Sequence, residues 1–188
     1  MSSILLAPPA AEPLTLAEAK AFLRVETAED DALIAALIAA ARLHVETQAG
    51  LALITQGWRM VLDCWPGSGR ITVRPGPLRA LTGARVFDFD GEAHALDTQA
   101  FVPDAGASSL AFMPWALPVP TRLAAGIELD VTVGFGDAAA DVPEPLRQAI
   151  RLLAAHWYEN RAAVPGHDSA PLPPGAAALI AAYRMPAL

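Results

Sequence analysis

The 188-residue chain carries 20 acidic against 13 basic residues, a formal charge of −7, and 54% of its residues are hydrophobic. Such an acidic balance repels phosphate backbones and argues against specific nucleic-acid binding. A mean hydropathy of +0.35 is high, but no uninterrupted apolar run approaches the roughly 18 residues of a spanning helix, which argues against a membrane protein. Much of the apolar content is alanine, and the surplus is assigned to core and protein–protein contacts. All the basic residues except Lys20 are arginine, whose planar fork suits interface pairing. The single Cys64 excludes an internal disulfide and a cysteine-based zinc cluster. Between Asp63 and Trp65 it reads as a small buried hydrophobe, and a reducing cytoplasm fits.

Residues 1–13 are apolar and broken by prolines, and read as an extended arm with no secretory signal. Thr15 and Glu18 form a capping box, which predicts a short helix from Leu16 to Leu23 with Leu16, Ala19 and Leu23 on one face. A second start signal at Thr27, reinforced by Glu29, Asp30 and Asp31, predicts a helix to about Gln48 that stops at Gly50. Its stripe is Leu33, Ile34, Leu37, Ile38, Ala41 and Val45. The small residues Ala35, Ala36, Ala39 and Ala40 would let a neighbouring helix approach closely.

The pattern changes after Gly50. Trp58–Leu62 and Ile71–Val73 read as strands around the Pro66–Gly69 turn, and Ala84–Phe89 leads into a hairpin turn at Asp90-Gly91. Gln99–Val102 and Leu110–Met113 are weaker strand candidates. Ile127–Val133 alternates cleanly between apolar and polar residues. Prolines at 75, 77, 103, 114, 118 and 120 exclude a long helix here. Helix returns at Pro143, where Leu146, Ile150, Leu153 and Trp157 recur at helical spacing to about Asn160. A Pro/Gly segment from Val164 to Gly175 and a short helix from Ala176 to Tyr183 close the chain.

The expected class is therefore α+β. A small helical bundle (residues 1–52 and 141–163) carries an inserted antiparallel region, sandwich- or barrel-like, over residues 53–140. A flexible C-terminal arm follows over residues 164–188.

No motif demands catalysis. Asp88-Phe89-Asp90-Gly91-Glu92 opens like a calcium loop but lacks the later ligands, and reads as a hairpin tip. His44, His94, His156 and His167 lie in four segments, and no pair has metal-ligand spacing. Ser108 and Ser109 lack a nucleophile elbow. Gly134-Phe135-Gly136 lacks a phosphate-cradling pattern and reads as a tight strand exit. No cofactor or metal is expected, and the chain is not read as an enzyme.

Three stretches carry a resemblance. They are Leu14–Lys20 with the acidic opening Glu29–Asp31; Leu53–Arg59 continuing through Leu62–Pro66; and Val142-Pro143 through Arg147–Ile150 to His156–Arg161. Leu172–Gly175 and Tyr183-Arg184 look like a closing pattern. Together these residues resemble the head–tail connector, or adaptor, proteins of long-tailed phages and phage-derived gene transfer agents. Gly134-Phe135-Gly136 departs slightly, standing where Gly-Tyr-Gly is common in that family.

The resemblance implies a ring of copies of this chain, usually twelve, bound beneath a portal protein. It would be joined to the next connector, stopper or tail component, with DNA crossing the channel without specific binding and no membrane involved. It implies assembly in the bacterial cytoplasm and then residence at the head–tail junction. The arm is expected to fold onto the portal. The interface candidates are Glu159, Asn160, Arg161, Leu172, Leu179, Ile180, Tyr183, Arg184, Met185 and Leu188, with Trp157 as a core anchor. Competing readings are a stand-alone binding module, a neighbouring tail-completion protein and a particle-associated hydrolase.

Overall fold

The computed structural model describes residues 2–160 and 173–184. The chain divides into two compact units, one of Met1–Pro9 with Thr55–Phe135 and one of Ala10–Ile54 with Gly136–Leu188.

The second unit is built from α1 (Leu16–Leu23), α2 (Asp31–Ala49), α3 (Glu144–Glu159) and α4 (Pro174–Ala181). The capping box forms: Glu18 N–H donates to Thr15 Oγ1 at 3.2 Å, and Thr15 N–H donates to Glu18 Oε2 at 2.9 Å. α2 begins later than the Thr27 signal, with Asp30 at its N-cap position and no side-chain cap bond. The reason lies across the fold, where the Tyr158 hydroxyl of α3 donates to Asp30 Oδ2 at 2.5 Å. Gly50 ends α2 in the left-handed region at φ 71°, where glycine has no Cβ to clash.

The buried stripe of α2 is Ile34, Ile38, Ala41, Val45 and Ala49. Leu33 is exposed and Leu37 half-buried, so two leucines of the expected stripe lie outside it. Arg42 and Glu46 are buried with the stripe and paired at 2.7 Å. Arg42 also bonds Glu12 at 2.8 Å, and Glu46 Oε1 accepts the Leu53 amide at 2.9 Å. A buried charge pair is tolerable only when its remaining hydrogen-bonding groups are satisfied, and these tie down the chain entering and leaving the helix pair. By length and composition α2 is long and apolar enough to cross a membrane. Its paired mid-helix charges, and its packing against α1, α3 and α4, mark it as the central helix of this unit.

α3 buries Leu146, Ala149, Ile150, Leu153 and Ala154. Arg147 joins it to α1: Nε donates to the Pro13 carbonyl at 3.0 Å and Nη2 meets Glu18 at 2.5 Å.

The first unit contains β1 (Ser2–Ala7), β2 (Gln56–Leu62), β3 (Arg70–Thr72), β4 (Leu78–Phe87), β5 (Ala93–Ala95), β6 (Phe101–Asp104), β7 (Ser109–Phe112) and β8 (Ile127–Val133). A five-stranded antiparallel sheet has the order β1-β2-β8-β4-β5, and a three-stranded one the order β3-β7-β6. Central β8 buries Ile127, Leu129, Val131 and Val133 and turns Glu128, Asp130 and Thr132 to the other face. Trp65, Phe101 and Phe112 cluster with ring centroids 5.3 to 5.8 Å apart.

The class is mixed helix and antiparallel sheet, with an open five-stranded sheet that does not close into a barrel. Three expectations change. The N-terminal arm is a strand of the sheet unit, not part of the helical body, because Ser2–Ala7 pair with Gly57–Val61. β4 starts at Leu78 instead of Ala84, its first half disguised by two register shifts between Leu78 and Gly83. Cys64 is exposed, because the chain has left β2 by that point.

Candidate assembly surface

The expected site residues that are described sit at the C-terminal end of α3, on α4 and just beyond it. Asn160 Nδ2 donates to the His156 carbonyl at 2.8 Å and so caps α3, and Glu159 beside it is exposed. Trp157 is half-buried, set edge-on to the His44 ring of α2 at 5.9 Å and 87°. Arg184 reaches the C-terminal end of α2. Its Nε donates to the Gln48 carbonyl at 3.1 Å and its Nη2 to Gln48 Oε1 at 3.2 Å. A cation there also complements the negative C-terminus of α2. His44 and Gln48 are one turn apart, so α2 gathers both the end of α3 and the end of α4.

α4 packs on α3 and α2 through Ala176 and Ile180, which are 0% and 3% exposed. Ile180 is thus turned into its own unit and leaves the exposed set, whereas Leu179 and Tyr183 are half-buried and Arg184 is exposed. Arg161, Leu172, Met185 and Leu188 lie outside the described residues.

Other groups are engaged structurally. Ser108 Oγ donates to the Val73 carbonyl at 3.2 Å and accepts the Leu78 amide at 3.1 Å, and Ser109 Oγ accepts from Arg70 at 3.0 Å. Asp88, Glu92 and His94 bring their ligand atoms within 4.8 Å of one another at the β4–β5 turn, the only such trio among the described residues. Asp88 is already used there: it meets His94 Nε2 at 2.8 Å and accepts the Glu92 amide at 2.9 Å. The His94 hydrogen bond, then the Glu92 amide, hold the Asp88 carboxyl below the ordinary aspartate range. An open, mainly apolar cleft of about 320 Å³ is lined by Leu14, Leu16, Ala35 and Ile38 among others.

Sequence reasoning missed the apolar groups exposed on the sheet unit. Ile4, Leu5 and Leu6 on β1, Phe89 at the hairpin tip, and Trp115, Val119 and Leu123 beyond β7 are all exposed. The signal available for β1 was its composition, Ser-Ser-Ile-Leu-Leu-Ala, which reads as a strand without a single charge.

A model of the phage gp6-like head–tail connector protein family matches residues 13–84, a stretch that takes in α1, α2, β2, β3 and most of β4. The remainder is covered by solved structures. The neck of an empty GTA particle, computed with C6 symmetry, contains a chain matched at 27% identity and TM-score 0.80. The virion of a native gene transfer agent (GTA) particle gives 27% and 0.81. The neck of a native GTA particle, computed with C12 symmetry, gives 29% and 0.79. Each match covers 100% of this chain and 97% of the other. Over residues 13–84 the chain is similar to the head–tail connector family, and over its whole length to chains of GTA particles. No curated protein matches it significantly. The third stretch of resemblance, Val142 to Arg161, lies beyond the family match and within the reach of the solved structures.

Proposed function

We propose that this chain is a head–tail connector, a structural subunit of the neck of a phage-like particle that joins the head to the tail. In detail, twelve copies form a ring beneath the portal, extend the DNA channel and receive the next connector, stopper or tail component. The observation that carries the reading is the whole-chain likeness to a chain of a GTA neck computed with C12 symmetry.

The electrostatics support a conduit that does not hold DNA. Lys20, Arg42, Arg59, Arg70, Arg85, Arg147 and Arg151, seven of the thirteen basic residues, are each paired with carboxylates of their own chain and so are less available to phosphates. Portal docking is assigned to the outward groups at the ends of α3 and α4, namely Glu159, Leu179, Tyr183 and Arg184, with Arg161, Leu172, Met185 and Leu188 continuing the same stretches of chain.

Mass photometry of the connector, alone and mixed with its portal, tests the reading. A portal-bound species heavier by twelve connector masses is expected, with no DNA binding at physiological salt. A stable monomer that ignores the portal would overturn the proposal.

A further inference from the structure

Sheet edges invite pairing with other chains, and proteins blunt them with charges, proline or shortness. Three of the four sheet edges among the described residues are treated this way. β6 contains Pro103, β3 is three residues long and opens with Arg70, and β5 is three residues long. β1 is different. Its six residues hold no charge and no proline, and all six are exposed. Ile4, Leu5 and Leu6 are 51%, 45% and 48% exposed, and because side chains alternate along a strand they present apolar surface on both faces.

We propose that β1 is where one connector receives the next, by adding the neighbouring copy's β5 to its open edge. The inference rests on the ring reading. A closed ring is built from a head-to-tail contact between two different patches of the same subunit. β1 and β5 are the two ends of one sheet, so each subunit offers both halves of such a contact. Their side chains are compatible. β5 is Ala93-His94-Ala95, exposed throughout and small on either side of the histidine, and uncharged β1 repels neither His94 nor the nearby Glu92. The 2.8 Å Asp88–His94 contact pins the β4–β5 hairpin, so β5 is presented already ordered and strand addition loses less entropy. Main-chain bonds then set the geometry, while burial of Ile4, Leu5 and Leu6 adds to the three-residue pairing.

Adjacent paired strands lie about 4.5–5.5 Å apart, within disulfide reach. In a Cys64→Ser background, Ile4→Cys is combined in turn with Ala93→Cys and with Ala95→Cys. Each variant is assembled on portal, checked by electron microscopy and mildly oxidised. A ladder of covalent multimers from at least one double variant, and none from the single variants, is expected. Rings that form without a ladder overturn the edge contact but leave the ring reading standing. Dimers from Ile4→Cys alone show β1 pairing with itself and overturn it too. Failure of unmutated protein to form any ring removes both readings. Separately, Leu5→Lys should lower ring yield at least tenfold with an unchanged thermal midpoint for the free subunit; normal ring yield contradicts the proposal.

Discussion

Arg59 and Asp130 face each other across β2 and β8 as a fork, with Nε at 2.7 Å from Oδ1 and Nη2 at 3.0 Å from Oδ2. Arg85 on β4 bonds the same carboxylate from the other side, so one aspartate ties the three central strands together. Cross-strand pairs of this kind are the unit of sheet stability. The Asp130→Asn variant should unfold in urea with a stability lower by roughly 1.5–3 kcal/mol, the usual loss for hydrogen bonds to charged groups. Arg59→Lys should lose part of that, because lysine cannot reproduce the fork. An unchanged midpoint for Asp130→Asn would show that the fork adds nothing.

The same geometry sets an acid limit. Asp130 is held below the ordinary aspartate range, first by the Arg59 hydrogen bond and then by the charges of Arg59 and Arg85, against burial. Glu18 is held below the glutamate range, first by the Thr15 amide and hydroxyl and then by Arg147. A carboxyl with a folded pKa below its unfolded one stabilises the fold fully above the unfolded value, about 4. That contribution is lost as pH falls through the lower, folded values. Urea midpoints should therefore be level near neutrality and decline below about pH 4. The decline should be shallower in Asp130→Asn.

The cap of α1 is separable from this. Thr15→Ala removes the oxygen that accepts the Glu18 amide, and should cost about 1 kcal/mol. Glu18→Gln keeps the reach back to Thr15 but discards the charge facing Arg147, so its loss should shrink at high salt while that of Thr15→Ala does not. Denaturant titrations at two ionic strengths distinguish them.

Trp157 is half-buried, so Trp157→Ala should cost about 2 kcal/mol, less than the 3–5 of a fully buried aromatic. The edge-on approach to His44 predicts a coupling of about 0.5–1.5 kcal/mol in a double-mutant cycle. Zero coupling would mean that the rings are merely neighbours.

Because Ile180 and Ala176 are buried, removing residues 165–188 would strip a packed helix from the body as well as any docking surface. Ile180→Ala is the cleaner test of that packing. Hydrogen exchange across α4 should quicken by tenfold or more while α2 stays protected. Equal protection of α4 in Ile180→Ala and in the unaltered protein would place the grip of α4 elsewhere.

What the sequence revealed follows from how local each signal is. The Thr15–Glu18 box spans four residues, and the alternation of Ile127–Val133 lies within one strand, so both could be read directly. The start of α2 could not, because Asp30 is engaged by Tyr158 from a helix far along the chain. The sequence of β1 reads only as part of an extended arm, because its partner residues in β2 come 50 to 59 positions later and nothing local requires the pairing. The first half of β4 was hidden by its two register shifts, which break the period-two pattern. Of the residues proposed for docking, Tyr183 and Arg184 come from the closing pattern of the sequence. The burial of Ile180 depends on how α4 lies against α2 and α3, which the short apolar run from Ala176 leaves open.

The most direct measurement is cryo-electron microscopy of the connector assembled on its own portal, with no symmetry imposed. The account predicts a ring of twelve copies on the tail side of the portal, with the ends of α3 and α4 against it. Portals bare of connector, beside free single subunits, would contradict it.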